Sequence, residues 1–168
     1  LWRLLMAGAT QFGPIAPEAL AAAGFDPGLL ADPRFVGVHA ALAEIDRALT
    51  LEGLTTDQKN KAVDVKVEIL FLSRKYADVI ELIDESWKGQ EAYAEKGMFF
   101  KAESEYSLAN FEAAHGLYAQ LLEKYHATEY KSEALYGLAH AKNALGKEAE
   151  AAALFEEYFA SADDEGKK

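Results

Sequence analysis

Histidines, carboxylates and aromatic rings are the side chains of this sequence that could form a chemical site. Glu112 and His115 have the Glu-x-x-His spacing found in di-iron helix bundles, but such a bundle needs a second copy of the motif and two further glutamates. The remaining histidines, His39, His126 and His140, have no HExxH or other metal-ligand spacing. The chain has no cysteine, so thiolate chemistry and disulfides are excluded. We therefore predict no metal, no cofactor and no catalytic residue.

Sequence motifs and charge narrow the classes of function further. The sequence contains no G-x-S-x-G nucleophile motif, no Walker loop and no dinucleotide-binding glycine fingerprint. There are 28 Asp and Glu residues against 17 Lys and Arg, a formal net charge of −11 that repels nucleic acid and anionic lipid. No apolar run approaches the ~18 residues needed to span a bilayer. We predict a protein that is not an enzyme, binds no nucleic acid and has no integral membrane segment.

The composition favours helices throughout, because alanine, leucine, glutamate and lysine are abundant and there are only four prolines. Thr55 and Gln58 have the spacing of a capping box, and Gly146 suits a left-handed helix stop. Asp32 followed by Pro33 is a good helix start. The predicted helices span residues 32–51, 55–73, 76–87, 90–107, 110–125, 132–145 and 147–160. Short capping helices are predicted in residues 1–34, and residues 161–168 are expected to form a frayed polar tail.

One phrase recurs along these helices: a small residue, a larger one about a turn later, and a third residue beyond it. Its copies are Ala114, Tyr118 and Leu121, then Ala151, Phe155 and Tyr158 after 37 residues, with earlier copies at Val79, Ile83 and Ser86 and at Ala41, Ile45 and Ala48. A period of this size is typical of a solenoid. A single helix pair cannot bury its apolar stripe, so neighbouring pairs must stack.

This pattern resembles the tetratricopeptide repeat, an antiparallel helix pair of about 34 residues. The resemblance is carried in the last pair by Leu135–Ala139, Gly146, Ala151, Phe155 and Tyr158, and in the middle pair by Ala102, Tyr106, Phe111, Ala114 and Tyr118. It implies an all-α fold, a right-handed α-solenoid of antiparallel helix pairs. The implied organisation is a cap at 1–34, a half-repeat at 35–53, pairs at 55–89, 90–128 and 129–160, and the tail at 161–168.

The stretch Glu123–Phe159 resembles a narrower group of repeat proteins. It resembles repeats of bacterial cell-envelope proteins that assist outer-membrane assembly or the Tol–Pal system. Those repeats often have proline after the tyrosine of the longer linker, whereas here Tyr125 is followed by His126. The resemblance implies a bacterial protein and favours the periplasm or cell envelope over the cytoplasm.

In a solenoid of this family the first helix of each pair lines a concave surface that binds a peptide. The residues that repeat on that side form the predicted partner-binding groove: Asp64, Glu68, Phe71, Phe99, Glu103, Tyr106, Tyr136, His140 and Asn143. Aromatic anchors commonly dominate interfaces, and carboxylates set charge preference, so we expect a partner with apolar and basic side chains. The alternative is that Phe71, Phe99 and Tyr106 are core residues.

The function predicted from the sequence is a protein–protein interaction scaffold that binds a partner in this groove. Two alternatives remain open. The chain could be an oligomerisation element whose open ends, including Trp2 and Phe12, pair with a second copy. It could also be a helical accessory domain excised from a larger protein or enzyme.

Overall fold

The computed structural model describes the backbone of residues 38–165 and the side chains of residues 41–160, and within that range every regular element is an α-helix. The helices are α1 (Val38–Leu49), α2 (Thr56–Leu72), α3 (Tyr76–Ser86), α4 (Glu91–Ser107), α5 (Phe111–Lys124), α6 (Lys131–Ala144) and α7 (Glu148–Glu165). The all-α prediction is confirmed. The predictions for residues 1–34, including the helix start at Asp32 and the capping role of Trp2 and Phe12, lie outside the described residues.

Local signals in the sequence account for the start of α2 and for the turn that precedes it. Thr55 and Gln58 form the predicted capping box: the Thr55 hydroxyl accepts from the Gln58 N–H, and the Gln58 side chain accepts from the Thr55 N–H at 2.9 Å. Gly53 lies in the turn between α1 and α2 and has a left-handed backbone with a φ of 84°. The prediction was wrong at the C-terminus, because the expected tail from Ser161 is helical as far as Glu165. Alanine, which has the highest helix propensity, favours helix in this stretch.

Three helix ends share one geometry. Arg74, Ala109 and Gly146 are left-handed, with φ values of 60°, 62° and 75°. In each case this residue donates its N–H to the carbonyl three residues back, and the next residue donates to the carbonyl five residues back, as in a Schellman motif. The left-handed positions are separated by 35 and 37 residues, the offsets of the repeated phrase. The same turn therefore recurs with the sequence period, although only the last copy has glycine.

The described chain divides between Lys75 and Tyr76 into two compact units. In the first unit α1 packs against α2, with a core of Ile45, Ala48 and Ala62 surrounded by partly buried Leu49, Val65 and Ile69. Lys66 Nζ lies 2.6 Å from Asp46 Oδ1, which joins the exposed sides of the two helices. The predicted inward residues of α2, Val63, Val67 and Leu70, are buried.

The second unit contains α3 to α7, each packed against the next, and α4 also contacts α6. Short turns join these helices, so consecutive helices run in opposite directions. The packing uses the small and large residues of the repeated phrase: Val79, Ala114, Tyr118 and Leu121 are all 0% exposed. Lys101 Nζ lies 2.5 Å from Asp84 Oδ1. These two residues stand 35 and 38 positions after Lys66 and Asp46, so this inter-helix ion pair also recurs with the sequence period.

Helices α5 and α6 pack closely where the Tyr118 ring lies against the backbone of Gly137. A Cβ atom at Gly137 would lie 2.4 Å from Tyr118 Cζ and 2.7 Å from its hydroxyl oxygen. Real Cβ atoms do not approach other atoms this closely, so only glycine fits there. The missing side chain lets Tyr118 extend beneath α6 toward α4.

Candidate functional site

The predicted groove residues fall in both units. Asp64, Glu68 and Phe71 lie on α2 in the first unit, where each is half-buried and takes part in a polar, ionic or ring interaction. The other six belong to α4 and α6 of the second unit, and these two helices contact each other. The candidate site below is therefore built from the second unit, and the groove role of the three α2 residues stays a prediction.

Two of the six residues on α4 and α6 differ from the other four in their exposure to solvent. Phe99 is only 7% exposed and its ring stacks on Tyr130, with centroids 4.4 Å apart, while Phe100 meets it edge-on at 5.7 Å. This burial favours the alternative that Phe99 is a core residue. Asn143 is exposed close to the C-terminal end of α6. The remaining four, Glu103, Tyr106, Tyr136 and His140, are half-buried.

A continuous chain of ring contacts runs across α4 to α7, and we call it the aromatic surface. Its members are Phe111, Tyr106, His140, Tyr136, Phe155, Tyr158 and Phe159, and the centroids of contacting rings are 4.3 to 6.4 Å apart. Six of these rings are half-buried, and Phe159 is 62% exposed. The tilted and edge-to-face arrangements are the favoured geometries for aromatic pairs.

Tyr136 lies at the centre of the aromatic surface. Its ring centroid is 4.3 Å from His140, 5.3 Å from Tyr158 and 5.9 Å from Phe155. His140 follows Tyr136 by one helical turn, and Tyr106 of α4 approaches His140 at 6.4 Å. Tyr136 and His140 therefore hold α6 against α7 while they keep part of their surface open to solvent.

The sequence reasoning did not include Phe111, Phe155, Tyr158 or Phe159 in the site. Phe155 and Tyr158 entered it only as members of the repeated phrase, and Phe159 was not singled out. The rings of Phe155 and Tyr158 contact α6. The signal was available: positions 155, 158 and 159 follow the three- and four-residue spacing of one helix face.

Beneath the aromatic surface, Glu103 and Tyr118 form a pair. The Tyr118 hydroxyl donates to Glu103 Oε1 at 2.6 Å. Burial raises the pKa of the Glu103 carboxyl, the hydrogen bond from Tyr118 opposes this change, and the nearby Glu133 carboxylate adds to it. Burial also raises the pKa of Tyr118, and the charge of Glu103 raises it further. Tyr118 therefore stays a neutral donor that orients the carboxyl.

The other titratable groups of the site respond to the same environment. The pKa of Tyr106 is raised, first by burial and then by the charge of Glu103 and the phenol of Tyr136. Burial lowers the pKa of His140 below its ordinary value, so the imidazole is mostly neutral at pH 7. At neutral pH the site thus combines uncharged rings with carboxylates and has no positive charge on its histidine.

The part of the second unit whose side chains are described is acidic. Residues 76–160 contain 16 Asp and Glu residues against 7 Lys, a difference of −9. Three of these lysines form ion pairs with carboxylates of neighbouring helices, namely Lys101 with Asp84, Lys124 with Glu91 and Lys142 with Glu150. The field at the aromatic surface is therefore attractive to cations.

The Glu112–His115 motif lies elsewhere on α5, with Glu112 exposed and His115 half-buried. Burial lowers the pKa of His115, and the positive charges of Lys142 and Lys147 lower it further. Among the residues that the structure describes, no three His, Cys, Asp or Glu side chains are grouped closely enough to hold a metal ion. In the same part of the chain, no helix combines the length and apolar character needed to cross a membrane.

The site offers aromatic ring surface, hydroxyl groups and negative charge, all of them carried by packed helices. Such a surface provides contact area and a preference for cations. Its residues come from four helices of one unit, so their relative positions are fixed by the packing of that unit. Comparison with known proteins gave no match to this chain among protein-family models, curated proteins or solved structures.

Proposed function

We propose that this chain is a protein-interaction scaffold, a tetratricopeptide-like α-solenoid that binds a segment of another protein on its aromatic surface. The partner segment carries apolar side chains that pack on the rings and basic side chains that match the carboxylates. Binding uses the second unit, from α4 to α7.

Three features, two of which recur along the chain, support the solenoid part of this proposal. The left-handed turns at Arg74, Ala109 and Gly146 recur at the spacing of the sequence repeat. The Lys–Asp ion pair between consecutive helices recurs at the same spacing. The contact between α4 and α6 is the neighbour relation expected for the first helices of successive pairs.

The observation that carries the binding function is the exposure of the aromatic surface. Phe159 is 62% exposed, although its ring contacts Tyr158 and is continuous with five further rings. A single exposed apolar residue needs no explanation, but a connected group of partly exposed rings is typical of an interaction site. Aromatic residues are also the commonest hot spots of interfaces.

A narrower proposal concerns the compartment. The resemblance of Glu123–Phe159 to repeats of bacterial envelope proteins supports a partner within an envelope complex. Fractionation of cells that express the full natural reading frame tests this directly: recovery in the periplasmic or membrane fraction is expected, and recovery in the cytoplasmic fraction alone would contradict it.

Selection from a random-peptide phage library on the immobilised full chain tests the binding function. We expect enriched peptides that combine aromatic or aliphatic residues with Lys or Arg. Phe159→Ser is the sharpest variant, because it removes an exposed ring without opening the core. Tyr136→Ala is less suitable, since Tyr136 packs against three other rings. Leu51→Ser is the matched control, because Leu51 is a 47% exposed apolar residue in the first unit.

We expect Phe159→Ser to weaken the selected peptides about tenfold, or about 1.4 kcal/mol, and Leu51→Ser to leave their affinity unchanged. Equal affinities for wild type and both variants would rule out the aromatic surface as the binding site. Light scattering on the same samples examines the oligomerisation alternative. A dimer that Phe159→Ser converts to a monomer would assign the surface to a second copy of this chain instead.

A further inference from the structure

The second residue of the repeated phrase meets a small residue of the following helix. In the first unit Ile45 of α1 belongs to one buried cluster with Ala62 of α2. In the second unit Ile83 of α3 lies against Gly97 of α4, where an added Cβ atom would be 3.2 Å from the Ile83 Cγ2 atom. Each isoleucine thus packs into the gap that a small residue leaves in the surface of the next helix.

An ion pair accompanies each of these two contacts. The residue after the isoleucine is an aspartate, and a lysine stands four positions after the small residue of the next helix. Asp46 Oδ1 lies 2.6 Å from Lys66 Nζ, and Asp84 Oδ1 lies 2.5 Å from Lys101 Nζ. Residues four positions apart share a helix face. We call this combination the docking motif: an apolar residue and an acid on one helix, and a small-x-x-x-Lys sequence on the next.

The contact between α5 and α6 has neither charge of the docking motif. Tyr118 is followed by Ala119, and the residue four positions after Gly137 is Ala141. Tyr118 still packs against Gly137, where an added Cβ atom would clash with its ring. In these three contacts the acid and the lysine are therefore present together or absent together, and an aromatic second residue meets a glycine.

Helix α7 carries the first half of the docking motif. Phe155 follows Tyr118 by 37 positions, and the next residue, Glu156, is an exposed acid. The ring centroid of Phe155 lies 5.0 Å from that of His140 on α6. Tyr118 makes the corresponding contact with Glu103, 37 positions before His140. Tyr118 is 0% exposed against α6, whereas Phe155 is only half-buried, and no helix follows α7 within residues 38–165.

We propose that Phe155 and Glu156 dock an α-helix of the partner, with a glycine against the Phe155 ring and a Lys or Arg one turn later against Glu156. This inference rests on the proposed function and names the conformation and the sequence pattern of the bound segment. The partner helix packs on α7 as α4 packs on α3, so its pattern is Gly-x-x-x-Lys or Gly-x-x-x-Arg. Glycine is favoured over alanine because Phe155 is aromatic, and the aromatic Tyr118 leaves no room for a Cβ atom at Gly137.

A segment of another molecule fits this face better than the rest of this sequence does. The two small-x-x-x-Lys sequences of α2 and α4 already face α1 and α3. Outside residues 38–165 no basic residue stands four positions after glycine, alanine or serine; these basic residues are Arg3, Arg34, Lys167 and Lys168. The excess of carboxylates in the described part of the second unit also favours a basic partner helix.

The test uses a helical probe, the acetylated and amidated peptide of residues 56–72 with Ala62→Gly. It carries the Gly-x-x-x-Lys pattern through Lys66, and its three acidic and three basic side chains balance. The probe is titrated into the isotope-labelled full chain while the backbone NMR signals of α7 are observed. Glu156→Lys reverses the acid of the docking motif. Glu157→Lys is the matched control, because it makes the same change of charge at the neighbouring exposed position.

We expect the probe to shift the signals of α7 in a saturable manner. Glu156→Lys should weaken it about fivefold, because two lysines then meet, and Glu157→Lys should change its affinity by less than about twofold. A probe with Lys66→Glu should prefer the Glu156→Lys chain over wild type, since the two charges are then exchanged. A probe with Ala62→Leu should bind at least about tenfold more weakly, because leucine cannot lie against the Phe155 ring as glycine does. A probe with Val65→Pro should not bind, because proline breaks its helix.

Absence of binding to the wild-type chain would overturn the proposal, and so would equal affinity of the Val65→Pro probe. An equal loss in Glu156→Lys and Glu157→Lys would reduce the effect to general charge and overturn it as well. Circular dichroism of each variant establishes that the helices remain intact. Failure of the proposed function is read separately, from the effect of Phe159→Ser on selected peptides. Selected peptides that depend on Phe159 but not on Glu156 would leave the function in place and remove only the docked helix.

Discussion

Replacing Gly137 with Ala tests the packing that carries the site. The new Cβ would lie 2.4 Å from Tyr118 Cζ, 2.7 Å from its hydroxyl oxygen and 2.8 Å from Cε1. Tyr118 is 0% exposed and is held by its hydrogen bond to Glu103, so the ring has little freedom to move. The clash therefore has to displace either the ring or helix α6.

Three contributions determine how much Gly137→Ala lowers the free energy of unfolding. Overpacking a core position costs about 1–3 kcal/mol. Displacing the Tyr118 hydroxyl from the desolvated Glu103 carboxyl costs about 1–3 kcal/mol more. Alanine recovers about 1 kcal/mol of helix propensity relative to glycine. We expect the free energy of unfolding to fall by about 3 kcal/mol, and the thermal midpoint by roughly 6–12 °C at about 2–4 °C per kcal/mol.

Urea unfolding followed by far-UV circular dichroism measures this change, and Gly116→Ala is its matched control. Gly116 is also a helix-interior glycine, but a Cβ there has no neighbour within 4 Å. The same substitution should therefore stabilise the protein by about 1 kcal/mol at Gly116 and destabilise it at Gly137.

A double-mutant cycle isolates the contact. In a Tyr118→Leu background the ring is absent, so Gly137→Ala should become nearly neutral or stabilising. A Gly137→Ala variant as stable as wild type, or one whose cost is unchanged by Tyr118→Leu, would refute the close approach of α5 and α6 beneath the site.

Three further predictions follow from local features. Ala109→Gly should raise the free energy of unfolding by about 1 kcal/mol, because Ala109 is left-handed at φ 62°, whereas Ala113→Gly within α5 should lower it by about the same amount; urea unfolding of both variants checks the opposite signs. Thr55→Ala should cost about 1 kcal/mol by removing the capping box, measured as a lower thermal midpoint. The raised pKa of Glu103 means that the folded state binds its proton more tightly than the unfolded chain, so this group's contribution to stability falls as pH rises above the unfolded pKa of about 4.3. Glu103→Gln should therefore gain stability relative to wild type as the pH rises from about 4, which urea unfolding at several pH values measures.

The sequence predicted the helices well because their signals are local. The capping box at Thr55, the left-handed stop at Gly146 and the apolar spacing of α2 each depend on residues within a few positions. The turns at Arg74 and Ala109 were predicted, but their left-handed conformation was not, because neither has glycine. Tertiary packing imposes that conformation against the local preference. The sequence prediction ends α7 at residue 160 because residues 161–168 are polar. The helix extends to Glu165, and the sequence has no glycine or proline between residues 161 and 165 that would end it.

The site was less predictable because it depends on contacts between helices. Spacing placed Glu103 and Tyr106 on one face of α4, and Tyr136 and His140 on one face of α6, which their mutual contacts support. It could not show that Phe99 is buried against Tyr130, since a concave face and a core face have the same helical period. The bond between Glu103 and Tyr118 joins residues 15 positions apart and requires the glycine at position 137. That combination has no periodic signature.

Chemical-shift mapping of a selected peptide on the isotope-labelled full chain tests the central claim most directly. At 18.4 kDa the chain is suited to residue-specific NMR. We predict that the perturbed signals cluster on the aromatic surface, above all at Tyr106, Tyr136, His140, Tyr158 and Phe159. Perturbations confined to α1 and α2, or spread over α3 and the outer face of α5, would contradict the claim that the aromatic surface is where this protein binds its partner.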